Sequence, residues 1–125
     1  TNAIAQRAAI AALKAPKSEI QYMIDEFKKR RDLVLALLSE VEGLKVNVPE
    51  GAFYVFPDVS SFFGKTLRGR TIHNASDFSL YLLEEAMVAT VTGEAFGDTN
   101  CIRISYAASE KELREAIRRI KESLV

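Results

Sequence analysis

Arg103 is the residue of this 125-residue chain whose type and surroundings most plainly require a chemical partner. It lies in Cys101-Ile102-Arg103-Ile104-Ser105-Tyr106, where alternation puts Ile102, Ile104 and Tyr106 on one face of a strand and Cys101, Arg103 and Ser105 on the other. A guanidinium in the middle of an apolar strand needs an anion, because a buried charge left unpaired is strongly destabilising. Two roles fit. One is a structural salt bridge, or an edge strand with its polar face in water, and alternation alone favours it. The other is bidentate capture of a carboxylate or phosphate, for which the planar fork of arginine is suited.

The remaining reactive residues offer less. His73 and Cys101 each occur once and no acidic residue stands at ligand spacing from either, so no metal site is expected. His73, beside Asn74, reads as a solvated loop residue and Cys101 as a small buried hydrophobe. A single histidine leaves a nucleophilic triad formally open, yet no motif such as GxSxG is present. The stretch Gly93-Glu94-Ala95-Phe96-Gly97 lacks GxGxxG spacing and precedes a strand, which removes it as a phosphate cradle.

Composition narrows the setting. Lys plus Arg (17) cancels Asp plus Glu (17), leaving no net basic field for nucleic acid or an anionic membrane. With 48% hydrophobic and 27% charged residues, 6 Gly and 3 Pro, the chain reads as a single globular domain, not a disordered, collagenous or coiled-coil sequence. One cysteine permits no internal disulfide and points to a reducing, cytoplasmic location. The longest strongly apolar run, 52–57, is far shorter than the roughly 20 residues a membrane span needs, and no charged-then-apolar leader opens the chain.

The elements that must position Arg103 follow from periodicity. An alanine-rich helix over 4–14, capped by Thr1 or Asn2, has high propensity and little apolar area, and Pro16 ends it. A long helix begins at Ser18, with Gln21 completing a capping box, and carries the stripe Ile20, Met23, Ile24, Phe27, Val34, Leu38 and Val41 as far as the stop at Gly43. Strands are expected over 44–48 and 52–56, a mobile loop over 58–74, a helix over 76–86, and strands over 87–91 and 101–106. Ser109 and Glu112 cap a last helix with the stripe Leu113, Ala116, Ile117, Ile120 and Leu124. The order ααββαββα predicts an α+β fold with a small, mostly antiparallel sheet covered by helices. Residues 1–42 would form a helical connector and long helix, and 44–125 the sheet and its helices. The start at Thr1, without methionine, predicts a fragment of a longer protein.

The motifs then carry a resemblance. IAQRAAIAAL, MIDEFKKRRDLV, PEGAFYVFPDV, TGEAFGD and IRISYAASEKELREAIRRI, in that order and over essentially the whole chain, resemble the carboxyl-terminal part of class I/II aminotransferases of pyridoxal-phosphate fold type I, most nearly the bacterial aspartate aminotransferases. The sequence departs from that pattern at Thr92, often a proline, and at Asn100, often a glycine, where asparagine tolerates a left-handed backbone. The resemblance implies that Arg103 grips the substrate α-carboxylate. It places pyridoxal phosphate, the Schiff-base lysine and most cofactor ligands in a large domain upstream, and none of the eight lysines here has an SKxxxxxGxR-like context. No catalytic, cofactor-binding or metal residue is therefore expected in this segment, which alone should be inactive and bind no cofactor. The implied partners are amino-acid and 2-oxo-acid substrates, the missing large domain and a second subunit of a homodimer, and the implied reaction is amino transfer from aspartate to 2-oxoglutarate. Val55, Phe56 and Phe96 are expected in the core before the cleft. The alternatives are an aromatic or alanine aminotransferase, or a free-standing non-enzymatic module that binds amino acids or a protein.

Overall fold

Residues 2–125 are described by a computed structural model. Asn2 opens the first helix, α1 (Ala3–Lys14), by accepting a hydrogen bond from the Ala5 N–H at 2.8 Å; Thr1 lies outside the described residues. The alanines give α1 propensity but no buried residue, and it stops at Ala15, before Pro16. The capping box expected at α2 (Ser18–Leu38) does not form: Lys17 occupies the cap position, and the Gln21 amide donates to Asp25 at 3.0 Å instead. Val34 and Leu38 are buried, but Ile20, Met23 and Ile24 are about half exposed, so only the second half of the expected stripe faces the core. The helix ends five residues before Gly43, whose left-handed backbone serves the following loop.

The sheet is narrower than periodicity implies. The strand expected over 44–48 reduces to one bridge, in which Lys45 and Asp58 exchange backbone hydrogen bonds of 2.9 and 3.2 Å. Pro49, Glu50 and Gly51 turn the chain before it can pair further. Three antiparallel strands follow: β1 (Tyr54–Val55), β4 (Val91–Thr92) and, between them, β5 (Ile102–Ser105). Tyr54 lies opposite Ser105, Val55 opposite Ile104, and Val91 opposite Arg103. The strand expected over 87–91 starts late because Met87 takes a left-handed conformation (φ 54°) as the C-cap of α3 (Ala75–Ala86).

The segment 58–74 is structured, contrary to the expected mobile loop. A single 3-10 turn (Ser60–Phe62) leads into the hairpin of β2 (Thr66–Leu67) and β3 (Arg70–Thr71). Its two-residue tip, Arg68 and Gly69, has positive φ at both positions, as a hairpin turn matched to strand twist requires. Buried Phe62 and Ile72 anchor it, with Phe62 stacked on Phe78 of α3 at 4.9 Å between centroids. The α+β class therefore stands, with the order α1-α2-β1-β2-β3-α3-β4-β5-α4, where α4 is Glu110–Ser123.

One face of β5 builds the core. Ile102, Ile104 and, just beyond the strand, Tyr106 are buried among Val34 and Leu38 of α2, Phe78, Tyr81 and Leu82 of α3, and Leu113, Ile117 and Ile120 of α4. The Tyr81 hydroxyl donates to the Ser123 carbonyl, pinning α3 to the end of α4. At the other end of α4 the capping box forms: Ser109 Oγ accepts from the Glu112 N–H at 3.3 Å, and the Glu112 carboxylate accepts from the Ser109 N–H at 3.0 Å. The Ser109 hydroxyl, which donates to the Glu112 carboxylate at 2.7 Å, and then the Ser109 N–H hold the Glu112 carboxyl below its ordinary range. Removing the cap by Ser109→Ala should cost about 1 kcal/mol, read as a lower urea midpoint with an unchanged slope. Because the Glu112 pKa is lowered in the folded state, the box's contribution is present above the ordinary carboxylate range. The carboxylate's share fades as pH falls through the lowered value, so the gap between wild type and variant should narrow in acid, while the bond from the Glu112 N–H to Ser109 Oγ keeps it from closing.

Candidate functional site: an arginine on an aromatic face

The opposite face of β5 presents Arg103. As the central strand, β5 is paired on both sides, so its backbone position is fixed from two directions. The Ile102 N–H donates to the Pro57 carbonyl at 3.1 Å, which carries the β1 pairing past the strand end and sets Phe56 across from Arg103. The guanidinium carbon lies 4.3 Å from the Phe96 ring centroid and 5.4 Å from that of Tyr54. Phe56 in turn meets Phe96 edge to face, at 6.2 Å and 86°. Arg103 itself is half-buried, and no described residue gives it a hydrogen bond or an ion pair. Among the described residues Arg103 therefore makes no structural salt bridge, and its strand is central, not an edge, with the side chain still partly exposed.

The ring beside Arg103 is delivered by a short turn with little freedom. Residues Gly93–Phe96 form a 3-10 turn directly after β4. The Gly93 N–H donates to the Cys101 carbonyl at 2.7 Å, and the Gly93 carbonyl accepts from Asp98 at 3.2 Å. A Cβ on Gly93 would run into the carbonyl oxygens of Asp98 and Cys101, so only glycine brings the turn this close to β5. Gly97 takes the left-handed conformation (φ 89°) that ends the turn, and Asn100 needs no such backbone; its N–H donates to the Asp98 carboxylate at 2.8 Å. Of the aromatic-strand residues expected in the core, Val55 is fully buried, whereas Phe56 is half-buried and Phe96 is 48% exposed. The last two belong to the Arg103 face. The apolar run around β1 signals a strand covered on both sides, but the pairing of Tyr54 with Arg103 crosses 49 positions and has no local sequence signal.

This arrangement has the donors to bind an anion. Two fork donors of a guanidinium can grip one carboxylate, and neighbouring rings exclude water from the pair and strengthen it. The groups touching Arg103 are the Phe96 ring and the Tyr54 phenol ring. No lysine amine is among them, so the Arg103 face itself offers no group that would hold pyridoxal phosphate covalently. His73 lies elsewhere, exposed, with its N–H donating to Asp77 at 3.0 Å. Among the described residues no cluster of three His, Cys, Asp or Glu could hold a metal ion, and no helix is long and apolar enough to cross a membrane.

Comparison with known proteins gives this geometry a context. The family described as aminotransferase class I and II matches residues 1–120. A probable aspartate/prephenate aminotransferase of Rickettsia prowazekii is 50% identical over 96% of the chain, and an aspartate aminotransferase of Rhizobium meliloti is 47% identical over 95%. Among solved structures, an aspartate aminotransferase from Rhizobium meliloti superposes with a TM-score of 0.90 at 44% identity over 97% of the chain. An alanine aminotransferase from Pyrococcus furiosus superposes at 0.84, with 31% identity over 97%. The chain spans 29–30% of the length of these relatives.

Cys101, two residues before Arg103, carries a thiol that is poorly suited to react. Burial first, and then the hydrogen bond and charge of Asp98, push its thiol up to about 11. At pH 8 the folded protein should therefore resist a neutral alkylating reagent, and denaturant should release a rapidly labelled thiol. Fast labelling of Cys101 in the native state, followed by mass spectrometry, would contradict this placement.

Proposed function

Because this chain belongs to the family of class I and II aminotransferases, we propose that it forms the substrate-closing domain of a pyridoxal-phosphate-dependent aminotransferase that moves the amino group of aspartate to 2-oxoglutarate. The observation that carries the proposal is Arg103: a guanidinium fixed mid-sheet, flanked by rings and without an anion of its own among the described residues. Aspartate as donor is supported by relatives of 45–50% identity, whose names specify aspartate or aspartate and prephenate. Two other donor classes, alanine and aromatic amino acids, are supported by more distant structures of 31% and 37% identity.

In this account the large domain lies in the part of the complete protein outside this chain. It docks against α1 and the first half of α2, where Ile20, Met23 and Ile24 stay exposed. Pyridoxal phosphate, held by that domain, supplies the electron-withdrawing carbonyl chemistry. This chain supplies binding and orientation. Arg103 takes the α-carboxylate of the amino acid or the 2-oxo acid through two parallel bonds, and domain closure brings it to the reacting centre. Phe96 and Tyr54 dry the ion pair, which increases its worth at that moment. On this reading the complete protein works as a cytoplasmic homodimer, and this segment by itself is inactive, since none of its eight lysines has the SKxxxxxGxR-like context of the Schiff-base residue.

In the complete protein, Arg103→Lys should lower kcat/KM for aspartate by roughly 30- to several-thousand-fold, because an ammonium cannot reproduce two parallel bonds. Thermal unfolding should shift little, since water hydrates either cation in the open state. Unchanged activity with a melting temperature lowered by many degrees would make Arg103 a structural residue instead.

A further inference from the structure

Arg103 is a long side chain with many rotamers, and no described residue gives it a hydrogen bond or an ion pair, so its position must be held by something other than an anion. The nearer of its two ring contacts is Phe96, at 4.3 Å. Core packing does not account for Phe96, which is about half exposed and borne on a turn. That turn is fixed by the close approach of Gly93 to the Asp98 and Cys101 carbonyls, and the edge-to-face contact with Phe56 sets the plane of the ring. A ring covers the flat face of a guanidinium and leaves the N–H donors, which lie in its plane, free at the edge. An acidic partner would do the opposite, holding the group in place by occupying its fork.

We propose that Phe96 is a positioning residue: it holds the Arg103 guanidinium over its ring, so that the N–H fork is already placed before a substrate carboxylate arrives. The proposal rests on Arg103 being the carboxylate site, and it makes Phe96 act only through Arg103. Its effect should therefore be the same for every substrate that shares the carboxylate, whatever the side chain.

The test is made in the complete protein with the cofactor bound, comparing wild type, Phe96→Leu, Phe96→Tyr, Arg103→Gln and the Phe96→Leu/Arg103→Gln pair. Steady-state kinetics with aspartate and 2-oxoglutarate are combined with calorimetric binding of succinate, a dicarboxylate that cannot react, and with thermal unfolding. Phe96→Leu should raise both KM values and the succinate Kd by one common factor, roughly 3- to 30-fold, with kcat held within about twofold. Phe96→Tyr, which keeps the ring face, should restore values within about twofold of wild type. In the Arg103→Gln background the leucine substitution should cost nothing further, as expected when two residues act as one unit. An equal cost in both backgrounds, no rescue by tyrosine, or a lower melting temperature with unchanged KM would overturn the role given to Phe96. If Arg103→Gln is crippled while Phe96→Leu is silent, Phe96 alone is wrongly assigned; if Arg103→Gln is itself silent, the carboxylate site falls as well.

Discussion

A cation in the central strand of a small sheet is held here by rings instead of by a carboxylate, and the other features of the chain are arranged around that constraint. An ion pair at Arg103 would have been the simpler solution for stability, but it would have consumed both donors of the fork. Contact with Phe96 and Tyr54 compensates only part of the lost hydration of a charge, which is consistent with the side chain being half-buried and still in reach of water. The result is a fixed positive group with unspent hydrogen-bonding capacity.

Such a group is useful only if its support does not move, and the packing is concentrated where it provides that support. The underside of β5 rests on α3 and α4 through Ile102 and Ile104, while β1 and β4 flank it. The Ser109–Glu112 box and the bond from Tyr81 to the Ser123 carbonyl fasten both ends of α4. Gly93 ties the Phe96 turn to the same strand that bears Arg103, so ring and guanidinium share one frame. By contrast α1 and the first half of α2 bury almost nothing against this frame, and apolar side chains such as Leu13, Ile20 and Ile24 stay exposed.

Local patterns in the sequence were legible where local physics decides the outcome. Alternation along 102–106 placed Arg103 opposite the core face, and the capping box and stripe of α4 appear as read. The failures are equally physical. The alternation of 44–48 found no neighbouring strand to pair with beyond Lys45, so it remained a bridge. Polar and glycine residues in 58–74 encoded a tight hairpin tip, not mobility, because buried Phe62 and Ile72 tie that segment down. Ser18 and Gln21 have box spacing, but Lys17 took the cap. Arg103 was legible as a residue in need of an anion; that its actual neighbours are rings from two distant segments depends on the tertiary fold, which periodicity does not encode.

The central claim is that the edge of Arg103 is kept open for a substrate carboxylate, and a crystal structure of the complete protein with bound succinate tests it most directly. One carboxylate of the ligand should lie on both fork nitrogens of Arg103, at about 2.7–2.9 Å, with the guanidinium carbon still over the Phe96 ring. A ligand whose carboxylates are held by other cations, while Arg103 turns away to an acidic residue of the protein, would contradict it.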